Sequence, residues 1–279
     1  MSRLQHERYE LKYLINEEKA LRIRDFVRSY LDLDEYCAEQ PNFSYPTLSL
    51  YLDSDALDTY WHTINGNRNR FKLRLRYYDD HPNTPVFFEI KRRENNVILK
   101  DRGGVRKEAV RLLLSGHMPE RQHLLQPGDE QQFVAVQRFC QLMLDVHARP
   151  KMHIAYLREA YECPDNNGVR LTFDRSVESA PMPRADLVAR SKEAHSVFGR
   201  TVILELKFTA RYPKWFRELV ETFHLMQAGA AKFAEGIFSK GEDWVHEACV
   251  PQPPEVVLED FLTWRKYPRL FQTSRALTL

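Results

Sequence analysis

RFKLRLRYY, residues 70–78, alternates without a break: Lys72, Arg74 and Arg76 fall on one parity, and Phe71, Leu73, Leu75 and Tyr77 on the other. Successive side chains of a strand point to opposite faces, so this run reads as a β-strand with one cationic and one apolar face. The design recurs. FFEIKRR at 87–93 sets Glu89, Lys91 and Arg93 against Phe88 and Ile90, and RYELKYL at 8–14 sets Arg8, Glu10 and Lys12 against Tyr9, Leu11 and Tyr13. VRLTFDR at 169–175 opposes Arg170, Thr172 and Asp174 to Leu171 and Phe173, and YLREAY at 156–161 puts Arg158 between Tyr156 and Ala160. LELKF at 204–208 adds Glu205 and Lys207, so a Glu-x-Lys pair occurs on three strands far apart in the chain.

One such strand is explained by an antiparallel sheet with a face in water. The set asks for more. Its charged positions are Arg and Lys with a few Glu, not the Ser, Thr and Gln mixture of a solvated face, and its apolar faces are aromatic-rich and need helical cover. A sheet closed on itself meets both demands, with charges inward and helices outside. Like charges lining a lumen need water, counter-charge or an anionic ligand. Arginine forks suit phosphate oxygens, lysine acts as a point charge, and a few carboxylates could hold a divalent ion bridging those oxygens.

The expected class is therefore α+β, mainly antiparallel β: an eight-stranded closed barrel with a charged lumen and helices packed outside. Strands are expected at 7–14, 47–53, 70–78, 85–92, 96–101, 105–111, 151–162, 168–175 and 201–208. Helices are expected at 15–31, capped by Asn16, at 54–64, at 129–146 and at 213–228 after Pro213. Gly103-Gly104 reads as a hairpin turn, Asp53 and Asp55 as helix caps, Trp61 and Trp215 as packing residues, and Arg92-Arg93 with Arg106-Lys107 as a solvated rim. Residues 1–250 form one domain in this reading. PQPPE opens a Pro-rich linker and tail at 251–279, with one docked helix.

Other classes are disfavoured. Forty-one Lys plus Arg against thirty-nine Asp plus Glu leaves a net charge of +2, little for a nucleic-acid binder. No apolar run approaches the ~20 residues of a membrane span, and MSRLQHERYE lacks the apolar core of a signal peptide, so the expected location is cytoplasmic. Four scattered cysteines suggest neither zinc nor disulfides, His62, His153 and His224 show no metal-binding spacing, and no phosphate-binding Gly-rich loop is present.

RYELKYLI, LYLDS, RFKLRLRYY, FFEIKRR, VILKDR, YLREAY, VRLTFDR, LELKF and KFAEG, in this order over roughly residues 5–240, resemble the VTC domain, the polyphosphate polymerase domain of vacuolar transporter chaperone complexes, within the triphosphate tunnel metalloenzymes. The resemblance implies transfer of the terminal phosphate of ATP to inorganic polyphosphate, with pyrophosphate or triphosphate as related ligands and Mn²⁺ or Mg²⁺ as cofactor. It implies a catalytic, phosphate-binding set of Lys12, Arg74, Arg76, Lys91, Lys100, Arg158, Arg170 and Lys232. Glu205 is the implied metal ligand, with Glu10 and Glu89 as further candidates. Lys207 and, by alternation, Arg102 join them as substrate-binding residues. Two departures matter: Arg8 stands where the triphosphatase and cyclase branch has its first acid, and Ala231 stands where the family often has serine. The regulatory domain and membrane helices of eukaryotic members find no match, so coupling to translocation is not expected. A triphosphatase, with water as acceptor, and a non-catalytic polyphosphate or nucleotide sensor stay open as alternatives.

Overall fold

The computed structural model describes residues 8–95, 97–163, 168–209 and 211–249. They belong to a compact unit spanning Met1–Cys249, and the expected Pro-rich linker and tail at 251–279 lie outside the described residues. In chain order the elements are β1 (Arg8–Ile15), α1 (Glu17–Val27), β2 (Asp32–Leu33), α2 (Glu35–Ala38), β3 (Tyr45–Asp53) and α3 (Asp58–Ile64). There follow β4 (Asn69–Tyr77), β5 (Val86–Glu94), β6 (Val97–Val105), α4 (Val110–Leu114), α5 (Glu130–Asp145), β7 (Arg149–Glu162) and β8 (Val169–Pro181). The rest are β9 (His195–Ser196), β10 (Val202–Thr209), α6 (Lys214–Thr222), α7 (Lys232–Phe238) and α8 (Glu242–Cys249).

This is an antiparallel-sheet-rich α+β fold. The sheet order is β2-β7-β3-β4-β5-β6-β1-β10-β8-β9, and β7 also pairs with β8. Eight strands thus have a neighbour on both sides, but the joins are unequal. The β4–β5 ladder runs from Asn69↔Glu94 to Arg76↔Phe87, whereas β1 meets β6 through one registered pair, Arg8↔Ile98. Among the described residues the ladder therefore thins at that seam, which falls at the first described residue, and the expected unbroken barrel is not continuous there.

The outer faces bury what the alternation assigned to them. Leu73, Leu75 and Tyr77 of β4 join Phe88 of β5 and Val136, Phe139 and Met143 of α5 in one core. Tyr13, Leu171, Phe173, Leu204 and Leu206 pack under Ile23 and Val27 of α1 and Phe216 and Leu219 of α6. Burying each such side chain contributes ~1.5–3 kcal/mol. Asn16 caps α1 by accepting from the Lys19 amide at 2.9 Å, and Asp129 caps α5. Trp215 stacks on Tyr30, and Trp61 packs on Tyr60 while staying partly exposed.

Several expectations are corrected. Gly103-Gly104 is no turn: both residues continue β6 opposite Phe88 and Phe87. The glycines serve close approach of α5, since a Cβ on Gly103 would lie 2.5 Å from Val136 and 2.6 Å from the Gln132 carbonyl. Of the strand expected at 105–111, Val105 ends β6 and the rest leaves the sheet to form a 3₁₀ turn at Lys107–Ala109 and α4. Asp53 does cap α3, accepting from the amides of Ser54, Thr59 and Tyr60, which starts that helix at Asp58 instead of residue 54. Asp55 is no cap but an exposed partner of Lys151 at 2.7 Å. The helix after Pro213 stops at Thr222, and residues near 228 return to the sheet side, where the Ala228 amide donates to the Lys12 carbonyl. Of the expected rim, Arg93 and Arg106 are exposed, but Arg92 lies 3.2 Å from Asp101 and Lys107 donates to the carbonyls of Asp80 and His81.

Candidate functional site

The cationic faces of β4, β5 and β6 meet in register. Arg74 stands opposite Glu89, and Glu89 opposite Arg102; Lys72 stands opposite Lys91, and Lys91 opposite Lys100. Glu89, 1% exposed, receives Arg74 Nε at 2.7 Å and lies 2.5 Å from Lys100 Nζ and 3.4 Å from Arg102 Nε. Burial raises the affinity of this carboxylate for a proton, but Lys100, Arg74, Arg76 and Arg102 more than offset it and hold it ionised well below the usual range. The Arg102 guanidinium carbon also stands over Phe87, 3.6 Å from the ring centre.

A second carboxylate centre forms where β1, β8, β10 and α7 converge. Glu205 is 2.6 Å from Lys207, 3.2 Å from Lys12, 3.3 Å from Lys232 and 3.4 Å from Arg158. Asp174, wholly buried, takes Arg158 in a bidentate grip at 2.7 Å and Lys232 at 2.6 Å. Glu10 takes Lys91 at 2.9 Å, and Lys12 at 3.2 Å. Lys232 reaches this centre because α7 lies directly on the sheet: a Cβ on Gly236 would meet Ser179 at 3.0 Å and Ile154 at 3.4 Å. Burial works against ionisation of Glu205 and Glu10, yet Lys207, Lys232, Lys12 and Arg158 around the former, and Lys91 and Lys12 beside the latter, hold both well below the carboxylate range.

Cations exceed the carboxylates available to them. Arg76 is 4% exposed and has no ion-pair or hydrogen-bond partner among the described residues; its guanidinium carbon stands 5.7 Å from the Tyr156 ring. Thr47 and Ser49, on the same parity of β3 as Tyr51, bury hydroxyls that also lack a partner, and Ser49 stands opposite Arg76 in register. Burial brings the Lys72 ammonium down to about 8, with Tyr51 offsetting part of the effect. Lys100 falls to about 7, chiefly through burial against the pull of Glu89, and Lys207 to about 8 against the pull of Glu205. Tyr51 moves the other way: burial pushes its hydroxyl up, but Arg74, Arg76 and Lys72 bring it down to about 7, with Arg74 donating to it at 3.1 Å.

Lys12, Arg74, Lys91, Lys100, Arg102, Arg158, Lys207 and Lys232 thus gather around three carboxylates, Glu10, Glu89 and Glu205, with Arg76 beside them. Arg170 stands apart. Its guanidinium is held by Asp34 at 2.7 Å and Glu162 at 2.8 Å, with Tyr45 at 3.3 Å. Sequence reasoning missed Asp174, Tyr51 and Tyr156 as members of the site. Tyr156 is ringed by Arg76, Arg158 and Lys232. The signal for two of them was present: Asp174 shares its parity with Arg170, and Tyr51 follows Thr47 and Ser49 in TLSLYLD.

The VTC domain model matches residues 7–239. Subunit 2 of the vacuolar transporter chaperone complex of Schizosaccharomyces pombe is 26% identical over 234 residues, 70% of this chain and 31% of that protein, so the chain spans about a third of that relative's length. Among solved structures, the PH1819 protein of Pyrococcus horikoshii OT3 superposes with a TM-score of 0.43 at 13% identity, covering 84% of this chain and 99% of that one. A Hippeastrum protein described as having a dominant triphosphatase activity superposes with a TM-score of 0.47 at 16% identity, covering 84% and 96%. No described helix is long and apolar enough to cross a membrane. With the family match extending over most of its length, the chain belongs to the VTC domain family.

Proposed function

We propose that this chain moves the terminal phosphoryl group of ATP onto inorganic polyphosphate along the charged face of the sheet, as a divalent-metal-dependent polyphosphate polymerase. The observation that carries the reading is Arg76, 4% exposed and without an ion-pair partner among the described residues, whose buried Nε lies unbonded beside the unpartnered hydroxyls of Thr47 and Ser49. A buried donor without an acceptor is costly, and a phosphate chain would supply charge and acceptors together.

Phosphoryl transfer depends on in-line positioning and on neutralising the equatorial oxygens. Arg74, Arg76 and Arg158 clamp the phosphates, while Lys12, Lys91, Lys100, Lys207 and Lys232 balance charge on the leaving and accepting oxygens. Glu89, buried beneath them, orders Arg74, Lys100 and Arg102. Arg170, held by Asp34 and Glu162, would add a further clamp.

A divalent ion fits at Glu205 and Glu10. The Lys12 ammonium lies 3.2 Å from an oxygen of each, between two ionised carboxylates where a cation is at home. Among the described residues no three metal-ligating side chains cluster, so Glu205 and Glu10 would hold the ion together with phosphate oxygens, as magnesium sites with one or two carboxylates do. Bound there, it would withdraw charge from the phosphoryl oxygens.

One observation favours the hydrolytic alternative. Tyr51, its hydroxyl brought to about 7, could take a proton from water, which a triphosphatase needs and a phosphate acceptor does not.

The test is incubation with ATP and Mn²⁺ or Mg²⁺, with products resolved by gel and phosphate assay, and Glu205→Gln and Arg76→Met as controls. Polymer plus ADP, lost in both variants, supports the polymerase. Free phosphate without polymer makes it a triphosphatase, and metal-independent binding without turnover makes it a sensor.

A further inference from the structure

We propose that Arg70 and Arg93 form a binding site for the emerging end of a linear inorganic polyphosphate, so that this chain grips phosphate chains longer than a triphosphate. The proposal rests on the reading of the site above and extends it to the rim of β4 and β5.

The register carries the argument. Arg70 stands directly opposite Arg93, and in the next inward row Lys72 faces Lys91, which faces Lys100. Like charges directly opposite one another destabilise a sheet, so two successive rows of them need an anion. Carboxylates reach only part of this ladder: Glu10 is bound to Lys91 and Glu89 to Lys100, while Arg70, Lys72 and Arg93 have no carboxylate partner among the described residues. Two turn carbonyls steady the outer pair. The Arg70 guanidinium donates to the Asn67 carbonyl, and Arg93 Nε donates to the Asn95 carbonyl at 2.8 Å. Burial and the repulsion of Arg93 both lower the proton affinity of Arg70, as a crowded cation without a counter-ion requires.

Arg70 is on the same parity as Lys72, Arg74 and Arg76, so β4 presents one unbroken cationic line from the buried Arg76 to the rim. At ~3.3 Å per residue that line is ~20 Å long, beyond the reach of three linked phosphates. Its ligand is a chain charged at every phosphorus. At the rim itself neither β4 beside Arg70 nor β5 beside Arg93 places an aromatic side chain on this parity to stack a base, Phe71 lying on the other.

The experiment compares binding of tripolyphosphate, a linear polyphosphate several times longer, and a single-stranded oligonucleotide to the full chain and to Arg70→Gln/Arg93→Gln. The substitution removes a like-charge pair, so its melting temperature should equal or exceed that of the parent, which guards against misfolding as the cause of any loss. The expected result is about a tenfold loss of long-chain affinity, the size of ~1.4 kcal/mol, with tripolyphosphate unaffected and a shallower salt dependence for the long chain. Arg70→Lys/Arg93→Lys should restore most of the affinity. Unchanged long-chain binding in the Gln variant would overturn the rim site while leaving the proposed reaction standing. Equal loss for the oligonucleotide would overturn the polyphosphate assignment. Failure of the parent to bind either phosphate ligand would instead sink the reading of the site itself.

Discussion

Lys232 Nζ lies 2.6 Å from Asp174 Oδ2, and this wholly buried carboxylate also grips Arg158 twice at 2.7 Å. A helix and two strands thus meet on one negative charge. Asp174→Asn would leave two largely buried cations short of a partner, at a cost of ~3–5 kcal/mol. Thermal unfolding should show a large drop in melting temperature, partly reversed by tripolyphosphate and by more than the same ligand stabilises the parent. An unshifted melting temperature would mean that Glu205 alone suffices for Lys232 and Arg158.

Arg76 should behave in the opposite way. Having no carboxylate partner among the described residues, it is an unpaired charge in the ligand-free protein, so Arg76→Met is expected to unfold at the same or a higher temperature. The same variant should lose ~2.7–4 kcal/mol of transition-state stabilisation, a fall of about 10²–10³ in turnover. Chemical denaturation and product assay on one preparation decide it: a destabilised variant with full activity contradicts the role given to Arg76.

The lysines make anion binding sensitive to pH. Burial holds Lys100 at about 7 and Lys72 and Lys207 at about 8, below a free lysine, so in the empty protein they lose protons as pH rises through neutrality. A bound polyanion favours the protonated forms, so binding takes up protons and weakens with rising pH, by up to about tenfold per pH unit for each proton taken up. Calorimetry between pH 6 and 9 in buffers of different ionisation enthalpy measures that uptake. Lys100→Arg should flatten the profile near pH 7, since arginine stays charged.

Gly103→Ala tests the join of β6 and α5. Its Cβ would press on the Gln132 carbonyl and Val136, and backbone cannot yield cheaply, so a loss of ~1–3 kcal/mol is expected. Gly128→Ala, which meets nothing within 4 Å, is the control and should leave the unfolding midpoint unchanged.

Much of the site was legible because strand alternation is a local property. The parity of Lys72, Arg74 and Arg76 follows from the chain alone, and the structure keeps it, with Leu73 and Leu75 buried on the other face. Local reading failed where distance in sequence intervened. Gly103-Gly104 looks like a turn until α5 lies across it. Arg170 is legible as a cation of the charged face, but that Asp34, 136 residues away, holds its guanidinium is not. That Arg74, Lys100 and Arg102 converge on Glu89 is likewise set by strand register.

By itself, then, the sequence determined which side chains share a face, because the two-residue period of a strand is built into the backbone. It also determined that this face carries more cations than acids. The tertiary structure alone decided which acid neutralises which base and that Arg76 is left without one. Those outcomes depend on register and helix docking, which long-range packing sets and no local pattern encodes.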